Sequence, residues 1–232
     1  PAAARAVAGG LLAYAVFTGH SAMGPVFIAL AVWLVAGAVV DLFTRTGRGA
    51  FGARLSRLTR LPRADWGKAV AHAGFGLTLF GVAALTTYES EDIRIARLGE
   101  AFDVGPYEIT LTAVREHEGP NYIALMGTVE VARDGDLVST LHPERRFYPG
   151  AGMPTTEAAI DYRFLRDVYV VIGDQQTNGG WTVRTYIKPL TNWIWAGCIL
   201  MSLGGALSLS DRRFRVAAGA RRRAGTQGLP AE

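Results

Sequence analysis

The chain alternates long uncharged apolar runs with segments dense in charge, and the runs set its architecture. No charged side chain occurs between Arg5 and Asp41, a stretch of 35 residues, which exceeds the roughly 20 needed for one membrane span. Gly19-His20-Ser21 and Gly24-Pro25 break this stretch near its middle, so it predicts two helices, over 3–18 and 24–43. Residues 69–88 and 189–210 form uncharged runs of 20 and 22 residues, each long enough to cross a bilayer. A buried helix of a soluble protein is the alternative for any one run. Three such stretches in a chain of 232 residues argue against it.

Between the last two runs the period changes from helical to two-residue. Tyr107-Glu108-Ile109-Thr110-Leu111-Thr112 alternates apolar and polar positions, as a half-buried strand does. Residues 121–133 repeat the pattern, with Ile123, Leu125, Val129 and Val131 on one face, and Asp134-Gly135 is a hairpin turn signal before a return strand from Leu137 to Leu141. Val168-Tyr169-Val170-Val171-Ile172 is an unbroken apolar run and predicts a strand buried on both faces. Asn178-Gly179 marks a turn before the alternating Trp181, Val183, Thr185 and Ile187. About six short strands without an amphipathic helical stretch predict a small barrel or sandwich.

The predicted fold class is therefore a membrane α-helical protein of about four transmembrane helices with an inserted small all-β domain. Residues 1–88 hold three transmembrane helices with an Arg-rich loop at 44–65. The β domain occupies 89–188, the last transmembrane helix 189–210, and a basic tail 211–232.

Charge adds an orientation. Residues 89–188 carry a net charge of −6 and the rest of the chain +10, so the isoelectric point near 9.5 averages unlike parts. Of the 24 basic side chains 22 are Arg. They cluster at the ends of apolar runs, the signal of membrane topology rather than of nucleic-acid binding. Arg45, Arg48, Arg54, Arg57, Arg60 and Arg63 crowd residues 44–63, which hold no acid, and Arg212, Arg213, Arg215, Arg221, Arg222 and Arg223 crowd the tail. Both are expected on the cytoplasmic side, which puts residues 89–188 outside. Trp66, Tyr88, Trp193 and Trp195 fall near predicted helix ends, where amphipathic aromatics favour the interface. A single Cys excludes a disulfide framework, a Cys-rich zinc site and a covalent c-type haem site.

His72 is the residue with candidate chemistry. It lies in the run Ala69-Val70-Ala71-His72-Ala73-Gly74-Phe75-Gly76, and an ionisable group inside a span is a functional hypothesis by default. Small neighbours at Ala69, Ala73 and Gly76 permit close approach of a flat macrocycle, and imidazole is a common haem-iron ligand. The same features suit a hydrogen bond to a neighbouring helix, and a proton or quinone role also stays open. Counting from Trp66, His72 is about 9 Å into the span at 1.5 Å per residue. His20, at the outer turn, is too far across the ~30 Å hydrocarbon core to clamp the same iron.

Other candidates are weaker. His117, between Glu116 and Glu118, is expected in an exposed turn, and His142 precedes Pro143 at a strand end; the pair lacks metal-ligand spacing. Gly47-Arg48-Gly49-Ala50-Phe51-Gly52 spells a dinucleotide fingerprint but follows a membrane helix rather than a strand. Cys198 reads as a small packing residue. Glu157 and Asp161 are spaced for one helical turn but fall beside a predicted strand, so the spacing assigns them no acid–base role. No G-x-S-x-G, H-E-x-x-H or C-x-x-C motif occurs.

A family resemblance rests on ordered motifs. These are Met153-Pro154-Thr155-Thr156-Glu157-Ala158-Ala159-Ile160, Asp167 to Asp174, Gly180-Trp181-Thr182-Val183-Arg184, Tyr186-Ile187-Lys188-Pro189, Trp193-Ile194-Trp195, Gly204-Gly205 and Ser208-Leu209-Ser210-Asp211-Arg212-Arg213. Their order resembles the C-terminal part of the CcmF family, membrane subunits of the bacterial cytochrome c haem lyase, and Ala71-His72-Ala73-Gly74 resembles that family's haem b helix. The resemblance implies a bacterial inner-membrane protein with residues 89–188 in the periplasm. It implies help in moving haem from the carrier CcmE and attaching it by thioether bonds to apocytochrome c, beside a CcmH-type partner. It makes His72 an axial ligand of haem b, with the second ligand outside this chain, and no residue here catalytic. Family members are several-fold longer, so the chain is expected to be a fragment or a split-gene product and not catalytically complete alone. The alternative is a non-catalytic membrane scaffold whose β domain organises the maturation partners; a quinone-reactive b-type cytochrome is a third reading.

Overall fold

A computed structural model describes residues 8–10, 12, 16, 21 and 23–211. The helix expected over 3–18 falls mostly outside the described residues, as do His20 and the tail 212–232. The chain divides into two units, residues 1–83 with 193–232, and residues 84–192.

In the first unit, three helices are long and apolar enough to cross a membrane: α1 (Gly24–Arg45), α3 (Arg63–Tyr88) and α4 (Thr191–Leu209). Pro25 occupies the first turn of α1, where its missing N–H costs nothing. The helix α3 begins six residues before the uncharged run. Asp65 lies in its first turn, and the Asp211 carboxylate accepts the Ala64 N–H at 3.1 Å, so two acids meet the positive end of the helix.

The Arg-rich segment expected to be a loop contains a further helix, α2 (Phe51–Leu58). Its arginines are structural. Arg54 donates to the Phe43 carbonyl and to Thr46 Oγ1, and Arg57 donates to the Thr46 and Arg48 carbonyls at 2.9 and 3.0 Å. Cations thus satisfy the orphan carbonyls at the end of α1. Leu58 buries against α1 and α3, and Trp66 Nε1 donates to its carbonyl at 2.9 Å.

Glycines fix how α3 meets α4. A Cβ at Gly74 would lie 2.7 Å from the Gly197 carbonyl and 2.6 Å from the Met201 nitrogen. A Cβ at Gly67 would lie 2.6 Å from the Gly204 carbonyl. Two glycines seven residues apart on each helix therefore face each other in antiparallel order, close enough that only hydrogen fits. Thr78 Oγ1 donates to the Ile194 carbonyl at 3.3 Å and approaches Cys198 Sγ at 3.9 Å along the same seam. On its other side α3 packs on α1, where a Cβ at Gly76 would lie 2.9 Å from the Ala31 carbonyl.

The second unit is a β-sandwich of ten strands rather than about six. One sheet has the order β1 (Ser90–Ala96), β10 (Trp181–Pro189), β9 (Arg166–Gln175), β8 (Ala159–Tyr162). The other has the order β2 (Ala101–Val104), β3 (Tyr107–Glu118), β4 (Ile123–Arg133), β6 (Glu144–Tyr148), β7 (Met153–Glu157), with β5 (Asp136–Leu141) also on β4. All pairings are antiparallel. Ile109, Leu111, Val129, Val131, Val168, Val170, Ile172 and Val183 fill the space between the sheets. Asp134 and Gly135 both take positive φ, at 54° and 85°, as a two-residue hairpin turn of the expected type demands.

Three local expectations need correction. Ile123 is 42% exposed because β4 runs past the edge of the core, which the inward side chains reach only from Leu125 onward. The run Val168 to Ile172 alternates, with Tyr169 and Val171 on the outer face of the sheet rather than buried. His117 belongs to the end of β3 and not to a turn.

Candidate functional site

His72 is exposed on α3, one turn beyond Lys68. Its Nδ1 lies 2.8 Å from the Lys68 carbonyl oxygen. A carbonyl only accepts, so Nδ1 donates in this bond, and in the neutral ring Nε2 then keeps the lone pair with which histidines bind metals. This bond stays within α3, in contrast to the bond to a neighbouring helix that the sequence left open.

The ring borders a cleft of about 160 Å3 between α1 and α3, lined by Trp33, Leu34, Gly37, Ala38, Asp41, Lys68, Ala69 and His72. Small residues create it: a Cβ on Gly37 would meet nothing within 4 Å, and Ala38 and Ala69 pack where larger side chains would close the gap. A void of about 150 Å3 takes a benzene ring, so the cleft admits one edge of a macrocycle and does not enclose it.

One end of the cleft is charged, which the sequence reading missed. Lys68 Nζ pairs with Asp41 Oδ2 at 2.7 Å, and Arg45 bridges Asp41 at 3.1 Å and Asp65 at 2.8 Å. The signal was available: Asp41 and Asp65 are the acids that flank the Arg-rich segment. The cluster joins α1 to α3 and sets His72 roughly 6 Å, four residues, from the polar end of the pair.

The other candidate residues are not brought together. His117 and His142 are both exposed, and among the described residues no group of three or more metal-type side chains occurs. Glu157 ends β7 while Asp161 lies in β8, in different sheets; Asp161 instead pairs with Arg166 at 2.6 Å. The G-x-G-x-x-G segment is a bend that runs into the first two residues of α2, without a preceding strand.

A helical membrane unit with a β-sandwich inserted before its last helix, and a histidine beside a small-residue cleft in that helical unit, defines a class of membrane protein. Comparison with known proteins narrows it. Residues 87–189 match a family model described as the CcmF C-terminal β-sandwich. The cytochrome c-type biogenesis protein ccl1 of Rhodobacter capsulatus is 51% identical over 221 residues, covering 95% of this chain and 33% of that protein. The cytochrome c-type biogenesis protein CcmF of Escherichia coli is 38% identical over 195 residues, covering 84% and 29%. A solved structure of the cytochrome c haem lyase CcmF matches with a TM-score of 0.65 at 20% identity, over 88% of this chain and 34% of that one, and so shares its fold. The chain belongs to the CcmF family and corresponds to its C-terminal part. It spans about a third of the length of these relatives.

Proposed function

We propose that this chain is the C-terminal part of a cytochrome c haem lyase subunit in the bacterial inner membrane, with His72 an axial ligand of haem b. In this reading the whole protein receives haem from the carrier CcmE. With a CcmH-type partner, it assists thioether attachment to apocytochrome c on the periplasmic side, where residues 89–188 lie. The observation that carries the haem b assignment is the His72 Nδ1 bond to the Lys68 carbonyl, which in the neutral ring leaves the Nε2 lone pair to meet iron beside a small-residue cleft. The names of the relatives, cytochrome c-type biogenesis proteins, support the wider role.

The residues fit one axial position. Gly37, Ala38 and Ala69 leave room for a ring edge, and Trp33 offers an aromatic wall. The Asp41–Lys68 pair keeps opposite charges matched beside the cleft. The exposure of His72 accords with a second ligand and the remaining walls coming from outside this chain. Haem b, when bound, supplies a reversible one-electron carrier. The chain's part is to hold His72 in one tautomer and at one depth.

A scaffold reading has its own support, because the family-like motifs of β9 and β10 contribute core residues such as Val168, Ile172, Trp181 and Val183 rather than a site. One experiment separates the two. In the longest natural version of the protein, His72→Ala should abolish the reduced b-type absorbance while the protein still accumulates in the membrane. An unchanged spectrum would leave only the scaffold.

A further inference from the structure

Both chain connections leave the sandwich unit at one end. Ser90 is opposite Ile187 in the ladder of β1 with β10, and Lys188 Nζ pairs with Glu89 at 3.4 Å. The chain then runs through Leu190 into α4, which has 19 residues. At 1.5 Å per residue this helix is about 28 Å long, just under the ~30 Å of the hydrocarbon core. No length is spare, so Thr191 lies at the edge of that core and Leu190 at the headgroup boundary. Trp193 and Trp195, residues of the type that favours this boundary, follow directly in sequence.

The tip between β8 and β9, residues 163–165, is held to this exit. The Leu190 N–H donates to the Leu165 carbonyl at 3.0 Å, and the Asn192 side chain donates to the Arg163 carbonyl at 2.9 Å. All of these residues belong to the sandwich unit, which ends at Asn192, so the level of the tip follows from the chain's own exit. The Arg163 N–H is also occupied, by the Arg166 carbonyl at 3.0 Å and by Asp167 Oδ1 at 3.2 Å. Backbone groups satisfied in this way are what lets a turn leave water. The Arg163 guanidinium turns back to Asp161 and the Val138 carbonyl. Phe164 and Leu165, at the tip, are nonetheless 71% and 61% exposed. Turns that face water are built from Gly, Asn, Asp and Ser. The turn at the other end of β9 is of that kind and reads Gln176-Thr177-Asn178-Gly179.

We propose that Phe164 and Leu165 insert into the bilayer where headgroups meet acyl chains, on the side of the membrane where the sandwich lies. An aromatic and an aliphatic side chain, carried at headgroup level on a turn with satisfied backbone groups, find their apolar solvent in lipid, as the apolar face of an interfacial segment does. The span that fixes the level of the tip, rather than apolarity alone, names lipid as the occupant. The tip is then a non-covalent anchor beside the covalent one at Leu190. The inference requires α4 to cross the membrane and does not depend on haem at His72.

The test uses the longest natural version of the protein in vesicles of phosphatidylethanolamine and phosphatidylglycerol, with Cys198 and any other native cysteine changed to Ser. An environment-sensitive fluorophore is attached at Phe164→Cys, at Leu165→Cys or, as a control, at Thr177→Cys, about 30 Å away along β9. A lipid spin-labelled high on its acyl chain should quench both tip labels by about half or more and the Thr177 label by less than about a tenth. Aqueous iodide should give the reverse order. Phe164→Asp, at an exposed position, should lower lipid quenching of the Leu165 label by about threefold or more while leaving thermal unfolding unchanged. Tip labels that iodide quenches as strongly as the Thr177 label would overturn the proposal, because the tip would then face water. So would tip labels that neither quencher reaches, because another part of the protein would then cover them, and so would lipid quenching that Phe164→Asp leaves unmoved.

Discussion

Asp167 opens β9 at 1% exposure, and its Oδ1 accepts hydrogen bonds from the Arg163 amide at 3.2 Å and the Asn192 side chain at 2.9 Å. Burial pushes this carboxyl above its ordinary value of 3.8, and the two hydrogen bonds and the nearby Arg166 only partly offset that. A carboxyl whose value is raised by folding binds its proton more tightly in the folded state. It therefore costs nothing in acid and removes stability as pH rises from 3.8 through the folded value. Asp167→Asn keeps the oxygen acceptor and loses the titration, so its melting temperature should gain on the wild type as pH rises across that window. A parallel melting series from pH 3 to 7 in detergent checks it; a constant difference would contradict the assignment. The sequence presented Asp167 as one letter of a family-like motif, and only the fold shows it tying β9 to Arg163 and Asn192 within the sandwich unit. His72 was legible as an unusual residue in a span, but its tautomer depends on a backbone oxygen that no motif reveals.

The membrane helices were legible from apolar run length, because the bilayer imposes that length on any sequence. Their contacts were not. Gly67, Gly74, Gly197 and Gly204 are visible in the sequence, yet nothing there says that the first two face the last two. The structure makes their roles separable from those of neighbouring glycines: a Cβ at Gly205 meets nothing within 4 Å, whereas one at Gly74 lands on α4 backbone. Gly74→Val should therefore destabilise the helical unit by about 1–3 kcal/mol, the range for overpacking. Gly205→Ala should be neutral or slightly stabilising. Thermal unfolding of the two variants in the same detergent distinguishes them, and equal effects would contradict the close glycine seam. The short helix α2 escaped the sequence reading because its six-arginine surroundings looked like a topology signal alone. Arg54 and Arg57 also complete the carbonyl end of α1, so one residue type serves both purposes.

For the chain as a whole, alternating periodicity in residues 107–187 predicted a small barrel or sandwich, while the choice between them, the strand number and the sheet order depended on long-range pairing such as β1 with β10. The proposed orientation places the arginine segment and residues 89–188 on opposite sides of the membrane. In a Cys198→Ser background, Asp136→Cys should react with an impermeant maleimide outside the inner membrane. Ser56→Cys should react only after the membrane is opened, and the reverse pattern would invert the topology. The most direct test of the account remains the imidazole. In the longest natural version of the protein, His72→Gly should lose the reduced b-type band, and added free imidazole should restore it at the vacated axial position. A His72→Gly protein that keeps the band without added imidazole would contradict His72 as the ligand.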